Sequence, residues 1–152
     1  MKLAEALILR ADYQKRIEQL RHRLIQNARV QDGEEPNEDP KDLQKELLQI
    51  LKQLKELIQG INRTNLTTPF DEERSLADAL TERELIGQER RIFSELAEQA
   101  SVRHDRYSRT EIKSVSTVDV KKTQKRVDDL SQEYRQLDTR IQELNWLTSL
   151  IE

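Results

Sequence analysis

Cysteine is absent from this chain of 152 residues, and glycine and proline occur only three times each. Without cysteine there are no disulfides, thiolate metal sites or cysteine nucleophiles, which argues against a disulfide-stapled secreted protein. Three glycines leave no place for a glycine-rich phosphate loop, a dinucleotide-binding fingerprint or a Gly-x-Ser-x-Gly nucleophile turn. The scarcity of turn residues instead indicates a few long elements.

Long hydrophobic runs and an excess of one charge are also missing. The 26 Lys and Arg residues nearly balance 29 Asp and Glu residues, so the net charge of −3 does not attract nucleic acid or an anionic membrane surface. No stretch reaches the roughly 18 uncharged apolar residues of a membrane span. The segment from Met1 to Arg10 carries no cleavage signature. We therefore expect a cytoplasmic protein with no membrane span and no nucleic-acid partner.

Charged residues (36%) and apolar residues (35%) dominate what is present, a composition typical of amphipathic helices. The pattern predicts an all-α fold of four long antiparallel helices, a helical bundle with coiled-coil character that forms one domain over residues 1–152.

The first half, residues 1–65, is predicted to be a helical hairpin. Its first helix runs from Lys2 to Val30, and an acidic turn from Asp32 to Asp39 follows. Asp39 caps the second helix, with Pro40 as its first residue. The apolar stripes of the two helices keep heptad spacing: Tyr13, Ile17, Leu20 and Leu24 in the first; Leu43, Leu47, Ile50, Leu54, Leu57 and Ile61 in the second.

The second half is predicted to hold a third helix over 75–103, a polar connection over 104–117 and a long helix over 118–152. Ser75 and Asp78 resemble a capping box, and Thr117 is a candidate cap for the last helix. Gly87 predicts a bend or the close approach of a neighbouring backbone. The expected core of the third helix is Leu76, Leu80, Leu85, Ile86, Ile92, Phe93, Leu96 and Ala100; that of the last is Val120, Thr123, Val127, Leu130, Tyr134, Leu137, Ile141, Leu144, Thr148 and Ile151.

The predicted length of the last helix favours self-association. A helix of about 34 residues is about 50 Å long, more than a compact domain of this size requires. We therefore expect part of this helix to meet another subunit, and the protein to be a homo-oligomer.

Metal-dependent and cofactor-dependent chemistry is not indicated. The di-iron bundles need Glu-x-x-His on two helices, and this motif is absent. The two histidines, His22 and His104, lie far apart without a ligand set around either. We expect no catalytic residues, no metal and no cofactor, and hence no enzyme activity.

One segment carries unexpected chemistry, because Arg103, Arg106 and Arg109 recur at every third position beside His104 and Tyr107. If the third helix continues through this segment, the arginines share a face and clamp a phosphate or carboxylate through their forked donors. In the alternative interpretation, which the abundance of acidic residues favours, they pair with carboxylates of neighbouring helices.

Four strings carry a resemblance to a known family: 62–65 (Asn-Arg-Thr-Asn), 75–83 (Ser-Leu-Ala-Asp-Ala-Leu-Thr-Glu-Arg), 106–113 (Arg-Tyr-Ser-Arg-Thr-Glu-Ile-Lys) and 117–120 (Thr-Val-Asp-Val). On these strings the whole chain resembles a family of small bacterial proteins sometimes labelled septicolysin. The family contributes no catalytic residues, and the label implies a pore-forming cytolysin.

The leading hypothesis is a non-enzymatic, self-associating helical protein that binds a partner or ligand. The alternatives are a small-anion or phosphate binder at Arg103–Arg109 and the pore former that the family label implies. An up-and-down arrangement places Asn62–Asn65 and Ser75 at the end where Leu3 begins, and the arginine segment at the other end. We therefore predict a polar site between subunits that contains Arg63, Arg106, Tyr107 and Arg109.

Overall fold

The computed structural model describes residues 1–102 and 112–152. These residues form four α-helices and no β-strand: α1 (Leu3–Gln26), α2 (Pro40–Thr67), α3 (Leu76–Ala100) and α4 (Val120–Leu147). The predicted all-α fold is confirmed. None of the helices in these two ranges is both long and apolar enough to cross a membrane.

The predicted helix starts at Asp39 and Ser75 are confirmed. The Asp39 carboxylate accepts a hydrogen bond from the main-chain N–H of Lys41, with Pro40 in the first turn. The Ser75 hydroxyl accepts from the N–H of Asp78 at 3.1 Å, and the Asp78 carboxylate accepts from the N–H of Ser75 at 2.8 Å. These reciprocal bonds satisfy N–H groups that have no partner inside the helix.

The remaining boundaries differ from the predicted ones. The cap of α4 is Asp119 rather than Thr117, and its carboxylate accepts from the N–H of Lys122. α1 ends at Gln26 because Asn27 caps it, with its side-chain amide donating to the carbonyl of Arg23. α4 ends at Leu147, so the predicted helix over 118–152 is too long.

α1 and α2 pack against each other as an antiparallel hairpin, which we call arm 1. Leu20, Leu43 and Ile50 are buried between the helices, and four half-buried side chains of the predicted stripes surround them: Tyr13, Ile17, Leu24 and Leu47. Arg23 forms an ion pair with Glu38 at the tip of the arm, in the acidic turn. The predicted hairpin and its apolar stripes are confirmed.

α3 and α4 form a second antiparallel hairpin, which we call arm 2. The predicted seam of α4 is confirmed as far as Leu144, with Thr123, Val127, Leu130, Ile141 and Leu144 buried. Its last two predicted members, Thr148 and Ile151, lie beyond the end of the helix, and Ile151 is 40% exposed. This seam is covered within the molecule by α3, so α4 does not offer the free apolar surface that its length suggested.

The predicted core of α3 is partly wrong. Leu85, Ile92 and Leu96 are 56%, 57% and 38% exposed, whereas Ala79, Gly87 and Ala97 are buried. Small residues face α4 because its side chains occupy the space. At Gly87 an added Cβ would lie 3.2 Å from Cε2 of Tyr134, so an aromatic ring approaches the glycine rather than the neighbouring backbone.

The two arms meet at one end, in a region that we call the junction. Its core takes side chains from all four helices: Leu3, Ala6, Leu57, Ile61, Leu76, Ala79, Ile141 and Leu144. The segment after α4 closes the junction, because the carbonyl of Thr148 accepts from the N–H of Leu3 and the N–H of Leu150 donates to the carbonyl of Met1, both at 2.9 Å.

The four helices are thus packed together at the junction, while each arm continues as a pair of helices. The chain exposes 11944 Å² of surface. A compact monomer of 18.0 kDa exposes about 8,000 Å². The fold therefore presents about half again as much surface as a compact chain of its mass needs.

Candidate functional site

The most unusual surface is the side of α3 that faces away from α4. Gly87, which packs against α4, lies two positions after Leu85 and therefore about 200° around the helix from it. The outward side repeats at intervals of three and four, and all its members are exposed and uncharged: Thr81, Leu85, Gln88, Ile92, Leu96 and Gln99. We call this set the α3 stripe. It is a second heptad-like seam on a helix whose first seam is already paired.

Two of the carboxylates beside the α3 stripe are paired, whereas Glu84, Arg91 and Glu95 on its other edge are exposed and form no ion pair among the described residues. Glu89 accepts a hydrogen bond from Arg126 at 2.7 Å, and Glu82 accepts one from Arg74 at 2.5 Å. The hydrogen bond to Glu89 raises the pKa of Arg126, so this guanidinium stays charged. The stripe therefore has an apolar centre with a charged rim that is ion-paired along one edge, and an apolar centre within a polar rim is typical of protein interfaces.

Arm 1 has a smaller apolar surface on α2. Leu48 is 66% exposed, and Leu51 is 41% exposed one turn further along the helix. Lys52 and Lys55 follow on the same stretch of helix. This surface offers two adjacent leucines rather than an extended seam.

A cavity of about 460 Å³ opens at the junction, where all four helices contribute to its wall. Its lining combines apolar, amide and guanidinium groups: Ala4, Leu7, Ile8, Arg10, Ala11, Asn65, Leu80, Arg83, Gln142, Asn145 and Trp146. Asn145 is the deepest polar residue of this set and is only 5% exposed. This cavity was not predicted from the sequence. The one sequence feature that indicates it is Asn145, a polar residue directly after the seam position Leu144.

Of the predicted site residues, only Arg63 lies among the described residues. It is exposed on α2, in a groove of about 490 Å³ that α1, α2, Met1 and the C-terminal residues Leu150 to Glu152 line together. The predicted residues Arg103, Arg106, Tyr107 and Arg109 lie outside the described residues. The site that combines them with Arg63 therefore stays a prediction.

Part of the predicted geometry can be compared with the structure. Asn65 lines the junction cavity beside Ala4, and the N–H of Leu76 donates to the carbonyl of Thr68. The ends of α2 and the starts of α1 and α3 therefore meet, as the up-and-down arrangement predicts. In the described ranges, no group of three or more His, Asp or Glu side chains is placed to hold a metal ion.

Comparison with known proteins finds a solved structure with a similar fold and a family whose model matches the sequence. The crystal structure of a functionally unknown conserved protein from Corynebacterium diphtheriae is similar to this chain, with 44% sequence identity, coverage of 99% of each chain and a TM-score of 0.95. No curated protein matches the chain. Residues 10–150 match a family of unknown function, DUF6847. Because this match extends over most of the sequence, the chain belongs to the family of unknown function DUF6847.

Proposed function

We propose that the protein is a non-enzymatic helical scaffold that self-associates through the α3 stripe of two copies. The observation that carries this proposal is the uncharged heptad-like seam on the outward side of α3, in a chain in which 36% of the residues are charged. The proposal keeps the sequence-based expectation of a cytoplasmic protein without catalytic residues.

A second copy suits this surface because two identical seams are complementary when they pack about a two-fold axis. The heptad-like spacing lets the side chains of one stripe insert between those of the other. The ion pairs Glu89–Arg126 and Glu82–Arg74 support the same arrangement, because these two carboxylates on one edge of the stripe already have partners and need not be desolvated alone.

The small size of the apolar centre limits the strength of the association. Full burial of one Leu or Ile contributes about 1.5–3 kcal/mol. Leu85, Ile92 and Leu96 are already partly covered, so two stripes together supply on the order of 5–10 kcal/mol. Association costs about 4–15 kcal/mol in lost freedom. Because the gain and the cost are of similar size, we expect a weak dimer that dissociates on dilution.

Sedimentation velocity at protein concentrations from about 10 µM to about 500 µM tests the proposal. The natural chain should shift with concentration from 18.0 kDa toward twice that mass. Ile92→Glu should remain monomeric at every concentration, because it places a charge in the centre of the stripe. Leu48→Glu, at the other exposed apolar surface, is the matched control and should dimerise as the natural chain does.

Two results would contradict the proposal. One is a natural chain that stays monomeric over the whole concentration range. The other is an Ile92→Glu variant with the same concentration dependence as the natural chain, which would place the interface elsewhere. Both substitutions lie on exposed helix faces, so the helices should be retained. Circular dichroism of each variant verifies this.

A further inference from the structure

We infer that the junction cavity binds a small molecule in which one anionic group is attached to an apolar body. This inference goes beyond the proposed self-association, because the cavity and the α3 stripe lie on different sides of α3. Leu80 and Arg83 line the cavity, and Arg83 lies two positions, or about 200° around the helix, from Leu85.

The first observation is an amide without a partner. Asn145 is 5% exposed, and its side chain makes no hydrogen bond to any of the described residues. In the described part of the chain, no buried side-chain nitrogen or oxygen is both sealed from the surface and unpaired. The Asn145 amide must therefore reach the cavity that it lines. A buried amide that lacks a protein partner costs stability unless something in the cavity bonds to it.

The second observation is the charge of the lining. Arg10 and Arg83 both contribute to the cavity wall, and no Asp or Glu does. Arg83 donates from Nη1 to Asp138 at 2.6 Å, which leaves its other N–H groups available. Arg10 forms no ion pair with any of the described residues. Two guanidinium groups at one cavity favour an anionic ligand, because their planar donors match carboxylate and phosphate oxygens.

Further amides stand near the two arginines. Asn65 of α2 and Gln142 of α4 line the same cavity as Asn145. The Gln142 amide makes only a long hydrogen bond of 3.4 Å to Asp138, so it remains free to bond elsewhere. Amide groups donate to an anion without adding charge, and they fix its orientation. The cavity thus offers donors from all four helices: Arg10 of α1, Asn65 of α2, Arg83 of α3, and Gln142 and Asn145 of α4.

The third observation is the apolar part of the wall. Ala4 and Ala11 of α1 are small and leave open space, while Leu7 and Leu80 provide an apolar surface. Trp146 is 56% exposed at the rim, where a ligand would cover its ring. A volume of about 460 Å³ lies in the usual range of small-molecule sites. The lining therefore fits a chain or ring that ends in a carboxylate or a phosphate.

Trp146 is the chain's single tryptophan, so its fluorescence reports on this cavity. The intact protein is titrated with sodium octanoate and with octyl phosphate, and octanol and inorganic phosphate serve as probes of the two halves of the ligand. Both anionic octyl compounds should give a saturable change in fluorescence below about 10 mM. Octanol and inorganic phosphate should bind at least about tenfold more weakly, because each lacks one of the two recognised parts. The tighter of the two octyl anions identifies the preferred charged group.

Variants connect the signal to the cavity. Arg10→Gln should weaken octanoate binding about tenfold or more, since it removes one charged donor. Asn145→Leu, of similar size, should also weaken it. Arg140→Gln removes an exposed arginine that pairs with Glu143 outside the cavity and should leave the affinity unchanged. Arg10 is only half-buried, so its variant keeps the test valid if Asn145→Leu fails to fold.

Three results would overturn the inference. The first is the absence of a saturable change with either octyl anion. The second is equal affinity for octanol, which would make the cavity an apolar site without anion recognition. The third is an affinity that Arg10→Gln and Asn145→Leu both leave unchanged, which would place binding elsewhere. A natural chain that proves monomeric would not affect any of these measurements.

Discussion

The main-chain N–H of Ile151 donates a hydrogen bond of 2.9 Å to the hydroxyl of Thr64. This hydroxyl in turn donates to the carbonyl of Gly60 at 2.8 Å, and Thr64 is fully buried. One side chain therefore connects the end of α2 to the C-terminal segment, which is 87 positions away in sequence. The C-terminal segment is a structural part of the junction rather than a loose tail.

Thr64→Val should destabilise the fold by about 0.5–1.5 kcal/mol, because the isosteric methyl group removes the part-buried hydrogen bond from the N–H of Ile151. Urea unfolding followed by circular dichroism measures this change. Thr67→Val is the matched control, since the Thr67 hydroxyl is exposed and bonds only within its own helix. Equal stability of the two variants would show that the contact with Ile151 contributes nothing.

Gly60 makes the second contact with the C-terminal segment. A Cβ at this position would lie 2.8 Å from the carbonyl oxygen of Ile151, which belongs to the backbone and does not move freely. Gly60→Ala gains about 1 kcal/mol of helix propensity. It loses about 1–3 kcal/mol through overpacking. We expect a net loss of stability in the full chain, measured by urea unfolding.

Removal of Leu150–Glu152 should reverse the sign of this effect. In the shortened chain the carbonyl of Ile151 is gone, so Gly60→Ala keeps only its helix-propensity gain of about 1 kcal/mol. The comparison of the two backgrounds isolates the close contact, because the helix propensity is common to both. A substitution that has the same effect in both backgrounds would disprove the role of the contact.

Where one apolar stripe dominates a helix, the sequence was sufficient to predict its packing. Ile50 and Leu57 of α2 and Leu130 and Ile141 of α4 are buried as their heptad positions predict. α3 carries two apolar stripes, and periodicity cannot tell which one faces α4. On the side that packs against α4, Gly87 leaves room for the ring of Tyr134, a tertiary contact that no local pattern contains.

The junction was harder to predict because it depends on backbone pairing between distant residues. Ile151 continues the heptad count of α4, yet the helix stops at Leu147 and the following residues pair with Met1 and Leu3. This pairing competes with helix continuation and is decided by contacts far away in sequence. Asn145 was not predicted as a site residue for a related reason. A polar residue beside a seam is expected to be exposed unless the packing of the opposing helix is known.

The capping carboxylate of Asp78 should make stability depend on acidic pH. Hydrogen bonds from the main-chain N–H and then the hydroxyl of Ser75 lower the pKa of Asp78 below its ordinary value of 3.8. A carboxyl whose pKa is lowered by folding adds stability above its unfolded-state pKa, and this contribution disappears as the pH falls through the folded-state value. Asp78→Asn should therefore reduce stability at neutral pH and make little difference well below pH 3.8.

Urea unfolding of the natural chain and of Asp78→Asn at neutral pH and at about pH 2.5 measures this dependence. The Ser75→Ala background provides the control, because loss of the hydroxyl should reduce the effect of Asp78→Asn at neutral pH. A difference between the natural chain and Asp78→Asn that is the same at both pH values would contradict the prediction. An NMR titration that places the Asp78 pKa at or above 3.8 would do so as well.

A matched pair of charge substitutions on α2 separates the packed face of arm 1 from its exposed face. Ile50 is buried between α1 and α2, whereas Leu48, two positions earlier, is 66% exposed. Ile50→Asp should cost about 3 kcal/mol or more, since an unpaired carboxylate enters an apolar seam. Leu48→Asp should change stability by less than about 0.5 kcal/mol, because its side chain is already in solvent. Both variants place the same residue in the same helix, so helix propensity does not account for a difference in urea unfolding. A larger loss at Leu48 than at Ile50 would mean that α2 faces α1 with the opposite side. Equal losses would mean that the two faces do not differ in burial, and either result would contradict the hairpin packing described for arm 1.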